Sequence, residues 1–408
     1  MTLVTLRPDS LGSETLALYV HWPFCVSKCP YCDFNSHIRA HIDHKAWHEA
    51  LLADLANEAA LLPGRTLTSI FFGGGTPSLM EPATVEAVID AATACWTPSP
   101  VIEITLEANP NSVEAARFAD LAIAGVNRLS LGLQSFDDNA LQFLGRAHSA
   151  REGFGALEIA QRNFRRVSFD LIYALPSDTE DSWSATLGQA LSLGTRHLSL
   201  YQLTIEPGTR FASMVGRHDF EPMDPDRAAA LYELTDAMTS EAGMPAYEIS
   251  NHARPGHESR HNLTYWRYGD YAGIGPGAHG RRLGMRTVRH RKPENFLSAL
   301  RRNGNGIAEE AQLSPTESAD EALVMGLRLA EGIDAEAIAE RFGLSSIVDW
   351  DRVDRLVGSA HLTRDGARIA ITSKGRLLLD AILGEIALAE PISADSGPRP
   401  ELLELQVR

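Results

Sequence analysis

Basic charge is scarce in this chain. Its 408 residues hold 37 Lys and Arg against 53 Asp and Glu, a formal net charge of −16. That balance argues against nucleic acid or an anionic membrane as a primary partner, since both recruit proteins through Lys and Arg. No apolar run approaches the roughly 18–20 residues that span a bilayer. The first residues, M-T-L-V-T-L-R-P-D-S, lack a basic segment followed by an apolar core, so a secretory leader is not expected and a cytoplasmic location is. The phosphate-cradling word G-x4-G-K-[ST] is missing, which excludes a P-loop. Cysteine is rare, at four residues, too few for a disulfide scaffold. What remains is an ordinary globular composition, 44% hydrophobic, in a length that suits a large domain and a smaller one.

Three of the four cysteines fall within Tyr19 to Phe34. Cys25, Cys29 and Cys32 are spaced C-x3-C-x2-C. Thiolates are soft ligands that suit zinc or iron–sulfur clusters, and four-cysteine shells usually close such sites. Only three ligands are local here. A cubane [4Fe–4S] cluster on three cysteines keeps one iron open to an outside ligand, which makes the loop reactive. A structural zinc site would need His21, His37 or Cys95 as its fourth ligand.

Six short apolar runs alternate with amphipathic stretches. The runs are Leu16–Trp22, Ser69–Phe72, Val101–Ala108, Arg128–Leu133, Val167–Leu175 and His197–Leu203. This alternation predicts an α/β fold, a partial (β/α)6 TIM-like barrel, with a doubly wound sheet as the rival. The runs carry few charges, as strands buried on both faces require. Each ends in polar chemistry, where barrel enzymes assemble their sites. The cysteine loop follows the first run and Gly73-Gly74-Gly75-Thr76-Pro77 the second. Glu107-Ala108-Asn109-Pro110, Gln134-Ser135-Phe136, Asp170 and Thr204 mark the others. Glycines there let backbone approach a ligand closely, and an edge of N–H and C=O groups suits an amino-acid-like ligand. Asp170 on a buried strand needs a partner, which a ribose hydroxyl, a ligand amine or Arg146 can supply.

Further on, the chain turns polar and aromatic, through His252, Ser259-Arg260-His261-Asn262-Leu263-Thr264-Tyr265-Trp266 and His279. His252, His261 and His279 are candidate axial ligands for a haem iron. Residues 281–292 carry five arginines and a lysine. They read either as an exposed charged hairpin or as a clamp for carboxylates such as porphyrin propionates. Residues 311–390 read as helices followed by a hairpin at Asp365-Gly366, a winged-helix-like module. It holds 8 Lys and Arg against 14 Asp and Glu, so a DNA-binding role is not expected. The expected divisions are an N-terminal extension (1–15), a barrel core (16–245), a pocket and connecting segment (246–310), the helical module (311–390) and a mobile tail (391–408).

Together these words resemble the radical S-adenosylmethionine (SAM) superfamily, in the branch that contains oxygen-independent coproporphyrinogen III oxidase and related haem chaperones. The resemblance covers roughly residues 16–390. Y-V-H-W-P-F-C, G-L-Q-S-F, D-L-I-Y-A-L-P and H-N-L-T-Y-W carry it. The last word points to the haem chaperones. Phe34 stands where the oxidase pattern has a further cysteine, and the chain begins close to Tyr19; both differences favour the chaperone branch. The resemblance implies a radical SAM barrel with Cys25, Cys29 and Cys32 holding [4Fe–4S]. Tyr19, Tyr31, Gly74, Gly75, Thr76 and Glu107 match SAM-contacting positions. Gln134, Arg146, Asp170 and Thr204 match positions around a second SAM in the oxidase, here as SAM contacts or retained pocket architecture. It implies a haem cargo near His261, Asn262, Tyr265 and Trp266, and a haem-accepting protein such as one of the respiratory chain. A homodimer and a peripheral membrane association go with that reading. The alternatives are porphyrinogen decarboxylation by the oxidase reaction and a radical SAM enzyme on an unrelated substrate.

Overall fold

In the computed structural model, which describes residues 14–388, all six expected strands form. The tail and nearly all of the N-terminal extension lie outside the described residues. The described chain makes two units. One runs up to Ala246 and includes Asn251–Gln312; the other joins Tyr247–Ser250 to the residues from Leu313 onward.

In the first unit, β1 (Thr15–Trp22), β2 (Thr66–Gly74), β3 (Thr97–Ala108), β4 (Arg128–Gln134), β5 (Arg166–Tyr173) and β6 (His197–Gln202) pair in chain order, all parallel. Helices fill the connections, as a partial TIM-like barrel requires. Beyond β6 the sheet adds β7 (Asn251–Ala253), antiparallel. On the other side of β1 it adds β8 (Tyr271–Ile274), parallel, then β9 (His279–Arg282), β10 (Met285–Arg289) and β11 (Ile307–Gln312), each antiparallel to the last. Residues 251–312 thus add five strands to the barrel sheet, with two helices among them.

Side chains alternate along every barrel strand. Leu16, Leu18, Val20 and Trp22 of β1, Ile70 and Phe72 of β2, Ile104 and Leu106 of β3, and Leu129 and Leu131 of β4 share one hydrophobic core. Trp47, Leu51 and Leu55 of helix His44–Leu61 and Val85 and Val88 of helix Pro82–Cys95 complete it. Burial of such side chains contributes roughly 1.5–3 kcal/mol each. The opposite face is also buried but polar, with Ser69, Glu103, Thr105, Arg128, Ser130, Ser168 and Ser199 all under 10% exposed. Both faces of these strands are therefore buried, as their low charge leads one to expect, but the inner one is lined by polar groups. The inner face tolerates polarity because its groups pair: Arg128 Nη2 donates to Ser168 Oγ at 3.2 Å, and Ser130 Oγ lies 3.1 Å from Ser168 Oγ.

The helix Arg260–Trp266 packs against that inner face. His261 stacks on Phe71 with ring centroids 4.9 Å apart, and its Nδ1 lies 3.1 Å from Ser69 Oγ. Glu103 fixes the helix start, its Oε1 accepting from the backbone N–H groups of Arg260 (2.9 Å) and His261 (3.3 Å). A carboxylate at a helix N-terminus satisfies orphan donors and complements the dipole.

The basic run does form a hairpin, β9 to β10, but three of its five arginines are buried in it rather than free at its surface. Arg281, Arg282 and Arg289 are 5% exposed or less. Arg289 pairs with Asp54 (3.3 Å) and Glu58 (2.6 Å), and Arg282 with Glu58 (2.6 Å) and Glu310 (2.7 Å). Asp54 and Glu58 stand four residues apart on helix His44–Leu61, so one helical face meets strands β9 to β11 through charge. Arg281 lies over the Tyr268 ring, 3.5 Å from its centroid.

The second unit places helices Pro315–Gly326, Ala335–Phe342, Trp350–Gly358 and Leu379–Ile386 around a small sheet of Ile333–Asp334, Arg368–Ile371 and Leu362–Asp365. Leu323, Val353, Ile369 and Ile382 share its core. The hairpin turns at Gly366, φ +60°. Asp349 caps the helix Trp350–Gly358, accepting from Arg352 N. A short helix Ser373–Arg376 precedes Leu379–Ile386, and a Cβ on its Gly375 would lie 2.2 Å from the His361 carbonyl oxygen.

Candidate functional site

The cysteine loop leaves the C-terminal end of β1 and is held to β2 by backbone. Gly75 N donates to Trp22 O at 2.7 Å and Thr76 N to Phe24 O at 2.9 Å. This approach needs glycine, because a Cβ on Gly75 would lie 2.7 Å from the Phe24 carbonyl oxygen. Gly74 takes φ +108°, and a Cβ there would meet the His21 ring. Cys25, Cys29 and Cys32 are half-buried, whereas Cys95 is exposed at the end of helix Pro82–Cys95. Among the described residues no three His, Cys, Asp or Glu form a group that would hold a single metal ion. His21 engages both ring nitrogens, with the Tyr19 hydroxyl at 3.1 Å and the Asn35 carbonyl at 2.9 Å.

Donors surround the thiols. Thr76 Oγ1 donates to Cys25 Sγ at 3.5 Å and Arg146 Nη1 to Cys29 Sγ at 3.4 Å. Burial pushes the Cys32 thiol up to about 11, against the Phe34 backbone N–H, which favours the thiolate. Burial raises Cys25 as well, and Thr76 opposes it. Such thiols stay protonated until a metal takes the proton's place. Burial works against the charge on Arg146, yet Tyr31 and Cys29 outweigh it and hold the guanidinium charged. Burial also raises the Tyr31 hydroxyl.

Asn109 ties the donors together. Its Oδ1 accepts from Arg146 Nη2 at 2.6 Å and its Nδ2 donates to Thr76 Oγ1 at 3.1 Å. Glu114 orients Asn109 in turn, accepting from its backbone N–H at 2.8 Å, and also binds Ser78 Oγ. Sequence reading passes over Glu114 and Glu103, and marks Asn109 only as part of a strand-end word. Glu103 carried a usable signal, a lone charge within V-I-E-I-T, since a buried strand charge requires partners.

Inside the barrel two carboxyls face one another. Glu107 Oε2 accepts from Gly74 N at 3.3 Å, and Asp170 Oδ1 from Ser130 Oγ at 3.4 Å. Burial, with Asp170 second, pushes Glu107 up to about 8; burial pushes Asp170 up to about 6. Folded Glu107 therefore holds its proton over a range where the unfolded chain, near 4.5, has lost it. Its contribution to stability is fully present below about pH 4.5 and is lost as pH rises through about 8. Chemical denaturation of the metal-free protein should show stability falling across pH 5–8, and Glu107→Gln should flatten that slope; an unchanged slope would exclude a protonated Glu107.

Gln134 sits at the end of β4 with φ +67°, a left-handed conformation that a non-glycine residue rarely adopts. Its Oε1 and the Nε of Arg146 are buried with no hydrogen-bond partner. Two orphan polar atoms beside the cysteine loop call for a ligand. Tyr19 points to the same interior, its ring stacked on Phe71 at 6.3 Å. Thr204 is exposed just past β6.

The histidines lie on separate elements. His252 is buried in β7, paired opposite Leu198. His279 is half-buried at the start of β9. His261 is 5% exposed, and burial lowers it to about 3, so its ring is neutral. Asn262 accepts from Ser259 Oγ at 3.0 Å, while Tyr265 and Trp266 are buried edge to face.

The pattern of the radical SAM superfamily matches residues 19–190, and that of the HemN C-terminal domain matches residues 313–378. Over 385 residues the chain is 38% identical to the haem chaperone HemW of Escherichia coli, covering 92% of this chain and 98% of that protein. The chain belongs to the HemW family of radical SAM proteins. A mitochondrial radical SAM domain-containing protein 1 from Bos taurus is 43% identical over 332 residues, 79% of this chain and 75% of that one. The solved structure of coproporphyrinogen III oxidase (HemN) from Escherichia coli shares the fold, with a TM-score of 0.77 at 23% identity, over 93% of this chain and 91% of that one. HemW membership accounts for the barrel, the cysteine loop and the second unit together. No helix among the described residues is long and apolar enough to cross a membrane.

Proposed function

We propose that this chain is a haem chaperone: it binds haem and passes it to an acceptor protein, such as one of the respiratory chain, in the cytoplasm. The observation that carries this reading is the likeness to Escherichia coli HemW along almost the whole of both chains. Phe34 supports it, because it stands where the oxidase pattern has a further cysteine.

Cys25, Cys29 and Cys32 hold a [4Fe–4S] cluster in this reading. The partly exposed thiols, the donors Thr76 and Arg146 and the orphan atoms of Gln134 and Arg146 fit that cofactor with SAM beside it. When bound, such a cluster supplies one electron and an open iron for the SAM amino and carboxylate groups. Gly74, Gly75 and Thr76 offer SAM a backbone edge, Tyr19, Tyr31 and Glu107 flank it, and Gln134, Arg146 and Asp170 line the barrel behind. Gly75→Ala should weaken SAM binding to the reconstituted protein at least about ten-fold, because its Cβ meets backbone that cannot give way cheaply. Calorimetry checks this; unchanged affinity would place SAM elsewhere.

Haem ligation by His261 requires the helix Arg260–Trp266 to shift, since its ring is stacked inside the barrel. His252 and His279 are the other candidates. An anaerobic Soret titration of the reconstituted protein should saturate near one haem per chain, and replacing the true ligand among the three histidines by alanine should shift the Soret maximum. A titration that never saturates would overturn the chaperone reading.

A further inference from the structure

The N-terminal ends of β4, β5 and β6, opposite the cysteine loop, enclose a cavity of about 340 Å³. Arg128, Arg165, Arg166 and Arg196 line it, with Thr195 and His257. Four guanidinium groups around one cavity are unexpected in a chain of net charge −16. One buried carboxylate answers part of that charge: Glu103 lies 2.7 Å from Arg166 Nη1 and 4.0 Å from Arg128 Nε. Among the described residues Arg165 and Arg196 form no ion pair. Arg196 instead donates to His257 Nε2 at 3.2 Å, and burial, then Arg166 and Arg196, lowers that imidazole, keeping it neutral. Thr195 is 7% exposed, and its hydroxyl is buried without a hydrogen-bond partner.

Two helices, Ala150–Asn163 and Glu180–Ser192, end on this side, and their C-terminal dipoles favour a basic residue in each following loop. That accounts for Arg165 and Arg196 one at a time. It does not account for their convergence with the buried Arg128 and the half-buried Arg166 on one cavity, nor for a buried hydroxyl with nothing to bond. The wall is mainly polar, and Phe164 is its one phenyl ring, so it does not suit a flat apolar macrocycle.

We propose that this cavity binds a small polyanion bearing phosphate or carboxylate groups. Arg165 and Arg196 grip it from the open side, the Thr195 hydroxyl donates to it, and Arg128 and Arg166 supply field from below. Planar guanidinium forks match both oxyanions. Arg166 also donates to the carbonyls of His257 and Glu258 at 2.8 Å each, so the ligand sits on the network that anchors the helix carrying His261. The proposal stands apart from haem binding and SAM binding, whose failure would leave it untouched.

The test is calorimetry on the full-length, cluster-reconstituted protein at low salt, with pyrophosphate in one arm and citrate in the other. Saturable binding at one site is expected, and the arm that binds more tightly identifies a phosphate or a carboxylate ligand. Arg165→Ala combined with Arg196→Ala should weaken it at least about ten-fold, as loss of two charge-assisted donors requires. Both residues are exposed, so the variant should fold, which circular dichroism verifies. Thr195→Val, which leaves every charge in place, should weaken binding several-fold. Absence of saturable binding in both arms would overturn the proposal, as would affinity unchanged in the double variant. Affinity unchanged in Thr195→Val would reduce the site to loose attraction by exposed charge, and would overturn it as well.

Discussion

Replacing Cys29 with Ser will leave the anaerobically reconstituted protein without the broad visible absorption of an iron–sulfur cluster. The change removes one of the three proposed ligands, which lie within eight residues, and nothing nearby replaces it. Serine offers a hard oxygen whose proton is lost far less readily than a thiol's, and iron–sulfur chemistry selects soft thiolate. The Arg146 guanidinium that now donates to Cys29 Sγ would also lose that contact, keeping Asn109 and the Gly132 carbonyl. His21 cannot step in, because Tyr19 and Asn35 occupy its ring nitrogens. Iron analysis and the visible spectrum measure the outcome, and retained absorption would refute the ligand assignment. Cys95→Ser is the control: that side chain is exposed at a helix end, so its loss should leave absorption intact. If Cys95→Ser erased the absorption instead, Cys95 would be a ligand and the open-iron reading would fail.

Arg289→Met should destabilise the first unit by roughly 3–5 kcal/mol, the usual cost of stranding a buried charge. Arg289 is fully buried and answers both Asp54 and Glu58. The methionine fills much of the same space, so the cost measures charge rather than a cavity. Asp54 keeps only the backbone donors Gly275 N and Gly306 N, each at 3.1 Å. Glu58 keeps Arg282, which Glu310 also claims. Urea denaturation followed by tryptophan fluorescence gives the number. The exposed pair Arg162–Glu158 is the comparison, and Arg162→Ala should change stability by less than about 0.5 kcal/mol. Equal small effects would mean that the buried network is solvated in solution.

That network shows where sequence reading stops. Five arginines in twelve residues announce charge, but they do not announce that Asp54 and Glu58, more than two hundred positions earlier, will meet them. Pairing across such a separation is a product of the sheet, in which β8 returns to lie beside β1. The strands and the cysteine loop are legible because their signals are local: short apolar runs between amphipathic stretches, a C-x3-C-x2-C word and a glycine run at a strand end. The pairing on the inner barrel face is not legible for a related reason. Ser69, Glu103, Arg128 and Ser130 meet their buried partners only when neighbouring elements align. The H-N-x-x-Y-W word was legible as a family mark but not as a helix packed into the barrel. Stacking of His261 on Phe71 joins residues far apart in the chain. Asn109 was visible within its word, while its place between Thr76 and Arg146 is purely three-dimensional.

Haem carriage and porphyrinogen oxidation predict opposite results from a single preparation. The reconstituted protein, loaded with haem under anaerobic conditions, is mixed with a haem-free acceptor. A second portion, without haem, receives coproporphyrinogen III, SAM and reductant. A haem chaperone moves the Soret signature onto the acceptor in the first portion and forms no protoporphyrinogen in the second. Catalytic conversion of coproporphyrinogen, with no haem reaching the acceptor, would contradict it.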